Sequence, residues 1–243
     1  TSDGEEGTLV EREGEVVKQV SEAAFPRGTS VEVRDLFFNL PARRKFFRSD
    51  RAEFSQILKH LTSVSLAYPE VRFSLIHDNR EVFDFPPVAG ARERIFQAFG
   101  RQLLDRLFEV DYAEEDWRLF GFSSQPPSGR RDRSHQLFFV NRRLVKDRTL
   151  QAGLNHAYRG FLEKDTFAEG FLFLTCPSTE VDVNVHPAKA EVRFRDSSFV
   201  FQLVIHGIGQ GMLKEKGIKE IFPAGEEKRS GFSREERGPA SVF

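Results

Sequence analysis

Lys189 is the side chain whose setting most directly suggests chemistry. It lies in Val181-Asp182-Val183-Asn184-Val185-His186-Pro187-Ala188-Lys189-Ala190-Glu191-Val192-Arg193-Phe194. Valines alternate with polar residues as far as Val185, the period of a strand with one buried face. His186-Pro187 interrupts the pattern, since proline has no N–H for a ladder and holds its predecessor extended. Alternation returns at Glu191-Val192-Arg193-Phe194, so Lys189 is expected in a short loop rooted in strands at both ends. A point charge on a flexible stem, fixed at its root, suits contact with a phosphate. A solvated loop lysine is the competing reading of the same residues.

Gly28-Thr29 is a second candidate. Glycine permits close backbone approach to a ligand and threonine adds a hydroxyl, although a structural turn explains the pair equally well. The third is a basic cluster, Arg142, Arg143, Lys146 and Arg148, spread around one hairpin turn and the start of a helix. Arg130, Arg131 and Arg133 stand in the preceding loop Ser124–Ser134, whose prolines and glycine predict mobility. Such cations would contact phosphates without sequence preference and weaken with salt; a solvated basic face is the alternative.

Any such surface must be local, because 36 Lys and Arg nearly cancel 37 Asp and Glu among 243 residues. The single Cys176 excludes an intrachain disulfide and fits a reducing, cytoplasmic setting. No apolar run reaches the ~20 residues needed to cross a bilayer, and no signal peptide is expected. Six scattered histidines and one cysteine offer no zinc spacing, so no metal site is expected from this chain's own residues. There is no Gly-x-Ser-x-Gly elbow and no Walker-type loop. His206-Gly207-Ile208-Gly209-Gln210-Gly211 has the glycines of a phosphate loop but lies inside an apolar helical pattern. The first residue is Thr1 rather than Met, as expected of a piece of something longer.

The elements that would position these residues follow from periodicity and turn signals. A polar hairpin is expected across Arg12-Glu13-Gly14, then an alternating strand over Ser30–Leu36. Leu40 would cap a helix beginning at Pro41, with Arg43, Arg44, Lys45 and Arg48 crowding its first turns against the helix dipole. A second helix, buried through Phe54, Ile57, Leu58, Leu61, Val64 and Ser65, stops at Tyr68-Pro69. Strands Val71–His77 and Glu81–Phe85 turn across Asp78-Asn79-Arg80. Pro86–Gly90 marks the expected domain boundary. Beyond it come a helix over Ala91–Phe99 burying Ile95, Phe96 and Phe99, and strands at Phe108–Tyr112 and Trp117–Ser123. A hairpin, Gln136–Val140 with Arg143–Lys146, then turns across Asn141-Arg142. A helix over Asp147–Phe161, a strand over Phe171–Cys176 and a helix over Ser198–Leu213 complete the pattern, and a polar linker follows Phe222.

Three blocks resemble the MutL family of DNA mismatch-repair ATPases. They are Gly28–Phe47 with its Pro41-Ala42-Arg43-Arg44-Lys45, Phe139-Val140-Asn141-Arg142-Arg143, and the Val181–Phe194 stretch. The resemblance implies an α+β chain: a remnant of a GHKL or Bergerat-type ATPase sandwich, then an α/β transducer domain with the ribosomal-protein-like fold. The implied limits are residues 1–87, 88–215 and a flexible linker over 216–243. It also places Lys189 on the γ-phosphate of ATP as a catalytic group. Gly28 and Thr29 match the last ATP-site motif, shared with gyrase B and histidine kinases.

The family's general base, its magnesium-holding asparagine and its glycine-rich motifs precede this region. ATP and Mg ligands are therefore expected mostly upstream, and this chain alone is expected to be inactive although the full protein is an ATPase. DNA, mismatch-recognition proteins and downstream repair proteins are the implied partners. A homodimer is implied through a C-terminal domain and an ATP-dependent N-terminal contact, with no membrane. The family usually has glycine where this chain has Arg142, and arginine adopts positive φ poorly. A type II topoisomerase-like ATPase-transducer is disfavoured by the Pro41–Lys45 block and the His186–Lys189 loop. A non-enzymatic nucleic-acid-binding module is disfavoured by the near-neutral charge.

Overall fold

A computed structural model describes residues 6–182 and 192–215. The chain divides into two compact units, Thr1–Leu58 and Lys59–Phe243. In the first, β1 (Glu6–Glu13) and β2 (Val16–Ala24) pair antiparallel around Gly14-Glu15. The turn lies one residue later than the sequence pattern suggested, because Glu13 pairs with Val16 and Gly14 takes the left-handed position at φ 61°.

The strand expected over Ser30–Leu36 does not form: Val31 and Val33 are 81% and 68% exposed, and the segment joins no ladder. Alternation marks a segment able to be a strand, but the strand exists only where a neighbouring edge accepts its hydrogen bonds. Helix α1 (Pro41–Arg44) starts as expected, with Leu40 as cap and proline at the first position. It lasts one turn, so Arg43 and Arg44 fall in its last turn, where cations favour the dipole rather than oppose it. Helix α2 (Asp50–Ala67) runs from the first unit into the second, with Asp50 and Glu53 in its first turn. Its burial is concentrated at Ser63, Ser65, Leu66 and Ala67, while Ile57 is 50% exposed.

The second unit opens with β3 (Phe73–His77) and β4 (Arg80–Phe85), an antiparallel pair. Asp78 and Asn79 make its turn at φ 49° and 58°, the left-handed pair that two-residue hairpins favour. The main sheet contains β5 (Leu107–Glu114), β6 (Trp117–Ser124), β7 (Gln136–Val140), β8 (Arg143–Val145) and β9 (Gly170–Thr175). Its order is β5-β6-β9-β7-β8, with β7 and β9 parallel and every other pair antiparallel. Beside it, β10 (Val181–Asp182) pairs with β11 (Arg193–Phe194).

Period-two side chains cover both faces of the main sheet. Phe138, Val140, Leu172 and Leu174 pack with residues of α5 (Arg148–Ala157) and α6 (Ser197–Glu215), including Leu154, Val200 and Leu203. Phe139 and Phe171 point the other way, into a cluster with Leu66, Ile95 of α3 (Ala91–Phe99) and Leu103 of α4 (Arg101–Leu104). Gly207 and Gly211 explain the glycine run in α6. A Cβ at Gly207 would lie 2.8 Å from Leu119, and one at Gly211 would lie 2.6 Å from the Phe108 ring. They let the helix approach the sheet and make no phosphate loop.

Arg94 in α3 is fully buried. Its Nη2 donates to the carbonyls of Pro69 and Val71 at 2.8 Å and of Pro86 at 3.3 Å, and its Nη1 donates to that of Phe85 at 3.4 Å. Burial pulls its pKa down, yet arginine remains charged. The inward face of α3 is therefore Arg94 and Ile95, and Phe96, expected inside, is 49% exposed. The division at Leu58 follows compactness, whereas the boundary expected near residue 87 follows sequence pattern. Among the described residues, no helix is long and apolar enough to cross a membrane.

Candidate nucleic-acid interface

The basic cluster is built on the β7–β8 turn. Asn141 and Arg142 occupy it at φ 47° and 67°, so the two-residue turn forms although arginine stands in it. A left-handed non-glycine residue costs ~1–2 kcal/mol. Arg142 meets that cost with three contacts. Its Nε donates to the carbonyl of Ala67 at 3.0 Å, its Nη2 donates to the Glu70 carboxylate, and its guanidinium lies 4.5 Å from the Tyr68 ring centroid. The hydrogen bond from Arg142 holds Glu70 below the usual carboxylate range.

Arg143, Lys146 and Arg148 are different. All three are exposed, and among the described residues their side chains have no hydrogen bond or ion pair. Between them Asp147 caps α5, its carboxylate accepting the Leu150 N–H at 2.9 Å. Burial raises the Asp147 pKa against the hydrogen bonds it accepts. Arg143 therefore opens β8, Lys146 follows its last residue, and Arg148 opens the helix. These are rooted positions for three solvated cations.

The preceding loop is more tightly held than its composition suggested. Arg130 and Phe167 exchange backbone hydrogen bonds of 2.9 and 2.7 Å. The Arg133 guanidinium lies 4.2 Å from the Phe167 ring centroid, and Arg130 pairs with Asp132 at 3.1 Å. Prolines and glycine mark a loop, but they do not report the non-local Phe167 that pins it.

Gly28 and Thr29 are exposed in the first unit. Gly28 has φ 144°, a conformation that favours glycine, and a Cβ there would meet nothing within 4 Å. Lys189 lies outside the described residues. Among the described residues on either side, Val181 pairs with Phe194 and Asp182 with Arg193.

A buried polar cluster escaped the sequence reading. The Glu169 carboxylate, 1% exposed, accepts from Arg106 Nη2 at 3.1 Å and lies 2.7 Å from His135 Nδ1. Burial alone would raise its pKa, but His135 and Arg106 outweigh burial and lower it. Arg106 Nε also lies 3.1 Å from Oε2, an ion pair without a hydrogen bond. Tyr158 lies 2.7 Å from the Ser123 hydroxyl and donates to the carbonyl of Ser124, and burial raises its pKa strongly. Glu, His, Ser and Tyr are so spread along the chain that no spacing could have signalled their meeting. Among the described residues, no group of three or more His, Cys, Asp and Glu could hold a metal ion.

A family model described as DNA mismatch repair protein, C-terminal domain, matches residues 95–213. The DNA mismatch repair protein MutL of Koribacter versatilis is 38% identical over 244 residues, covering 89% of this chain. The chain belongs to the MutL family of DNA mismatch-repair proteins. It spans only 38% of that relative's length. The solved N-terminal domain of a DNA repair protein is 23% identical with a TM-score of 0.76, covering 89% of this chain and 71% of that one. The Aquifex aeolicus MutL ATPase domain complexed with ADP is 24% identical with a TM-score of 0.57, covering 82% and 67%. The fold is thus the α+β arrangement of the MutL ATPase region. In this chain the β7–β8 turn carries Arg142, and its contacts with Ala67, Tyr68 and Glu70 support it.

Proposed function

We propose that this chain is the part of a MutL-family mismatch-repair protein that couples an ATP-switched clamp to DNA. The observation that carries the reading is the rooted group of exposed cations, Arg143, Lys146 and Arg148, beside the β7–β8 turn. Phosphate contacts of that kind bind duplex without reading its sequence. Arg142, also expected among the DNA contacts, has its guanidinium engaged elsewhere and supports the turn.

The nucleotide side of the proposal rests on Gly28, Thr29 and Lys189. The positive φ and missing side chain at Gly28 fit the close approach of a phosphate, and the Thr29 hydroxyl can add a hydrogen bond. ADP occupies the related Aquifex domain. Bound ATP would supply the phosphoryl group whose presence or loss sets the clamp's state. Lys189 would place a positive charge against its γ-phosphate. Mg ligands are expected on the longer protein's other residues, as are the dimer contacts and the surfaces for mismatch-recognition and downstream repair proteins. Residues 1–87 would then be the end of the ATPase domain, 88–215 the transducer and 216–243 a linker.

The test is a salt titration of binding to a mixed-sequence duplex. Three phosphate contacts would give a log–log slope of roughly −2.7, and reversing two of the three cations should flatten it by about 1.8. Arg143→Glu combined with Lys146→Glu should therefore weaken binding and reduce the slope. Unchanged affinity and slope would return the cluster to a solvated face.

A further inference from the structure

Arg142 is set apart from its basic neighbours by what it touches. Its backbone sits at φ 67° and its side chain ends on three separate groups. Those groups are consecutive in the chain apart from one proline: the last residue of α2, Ala67, then the Tyr68 ring, then the Glu70 carboxylate. Helix ends leave carbonyls without partners, and an arginine N–H is a suitable donor for one of them. Ala67 is buried at the end of α2, and Arg142 supplies that donor from the hairpin turn.

We infer that Arg142 is a positioning residue: it clasps the β7–β8 turn to the end of α2 and so fixes where Arg143, Lys146 and Arg148 stand. The neighbouring Asn141 holds the other side of the turn, donating its backbone N–H to the Leu174 carbonyl at 2.9 Å. The turn is thus held from β9 by Asn141 and from α2 by Arg142. Without the Arg142 clasp, the cations keep their charge and lose their fixed spacing. Binding to a regular row of phosphates then requires ordering at the moment of contact, which lowers affinity. The inference rests on the proposed DNA contact and names the residue that organises it.

The sign of one substitution separates positioning from direct contact. Glu70→Gln removes a negative charge beside the basic cluster and leaves Arg142 in place. Any account based on charge alone, or on Arg142 reaching a phosphate, has Glu70→Gln bind DNA more tightly. Positioning has it bind more weakly, by roughly two- to fivefold for a half-exposed pair. Arg142→Gly preserves the left-handed turn and deletes the clasp. It should weaken binding at least as much and raise amide hydrogen exchange between residues 141 and 146. Arg142→Lys keeps the charge without the planar fork and should restore only part of the affinity.

The experiment is duplex binding by the full 243-residue chain and these variants, beside the charge reversal of Arg143 and Lys146. If the charge reversal weakens binding and Glu70→Gln tightens it, the positioning role alone is overturned. If the charge reversal has no effect, the DNA-contact reading fails and the positioning inference falls with it. Weaker binding by Glu70→Gln together with faster exchange at the turn is the expected result.

Discussion

Asn141 and Cys176 hold each other through a reciprocal pair of hydrogen bonds. The Asn141 side-chain amide donates to the Cys176 carbonyl at 3.0 Å, and the Cys176 backbone N–H donates to Asn141 Oδ1 at 3.0 Å. The pair joins the β7–β8 turn to the end of β9 and shows why asparagine, which tolerates left-handed φ, suits the first turn position. Asn141→Gly keeps the backbone conformation and loses both bonds, which should cost about 1–3 kcal/mol. Asn141→Ala adds a left-handed Cβ and should cost ~1 kcal/mol more. Denaturant midpoints measure both, and an alanine variant as stable as the glycine one would show that turn strain is unimportant here.

Glu169 gives the second prediction, a dependence on pH. Its folded-state pKa is lowered, since His135 and Arg106 overcome the raising effect of burial. A carboxylate with a depressed pKa contributes stability that is present above its unfolded value, ~4.3, and lost as pH falls through the folded value. Glu169→Gln should cost about 2 kcal/mol at pH 7, less than the ~3–5 kcal/mol of a wholly buried pair, because Arg106 is 44% exposed. The difference between wild type and variant should shrink below pH 4.3. A constant difference from pH 7 to pH 3 would falsify the ionic role.

The hairpin turns and most helices of the second unit were legible in the sequence because they rest on local rules. Asp78-Asn79 and Asn141-Arg142 sit between alternating runs, and the apolar spacing of α6 needs no partner to be seen. Arg94 was not legible. Periodicity assigned α3 an inward Phe96, yet Arg94 is buried because the carbonyls of Pro69, Val71, Phe85 and Pro86 converge on it from outside the helix. The same limit applies to Ser30–Leu36, whose pattern is local but whose strand would need a partner edge. At the candidate interface, the basic residues were visible as a cluster. That Arg142 faces Glu70 while Arg143 faces solvent depends on α2 ending beside the turn, information carried by neither segment alone.

Gly211 poses a contest between helix propensity and packing. Replacing a helical glycine with alanine gains up to ~1 kcal/mol in propensity. At Gly211, however, the new Cβ would lie 2.6 Å from the Phe108 ring and 3.0 Å from the Glu109 carbonyl oxygen. Overpacking of this kind costs about 1–3 kcal/mol, so Gly211→Ala should be destabilising on balance. Thermal and denaturant unfolding would both report it. A gain in stability would mean that α6 shifts away from β5 at little cost, and that the glycine run in this helix serves something other than close packing.

Lys189 carries the last prediction, which concerns a protein of the relatives' full length. If its ammonium faces the γ-phosphate, Lys189→Ala removes a charge that matters most as negative charge builds on the transferred group. Loss of one such electrostatic donor lowers turnover by roughly 10²–10³. ADP has no γ-phosphate, so its affinity should hardly change. Lys189→Arg should recover only part of the turnover, because a broad planar guanidinium does not replace a compact ammonium. Steady-state hydrolysis measured beside ADP affinity distinguishes the outcomes. Parallel loss of ADP binding would indicate damage to the nucleotide site as a whole. Undiminished turnover in the alanine variant would leave Lys189 a solvated loop lysine.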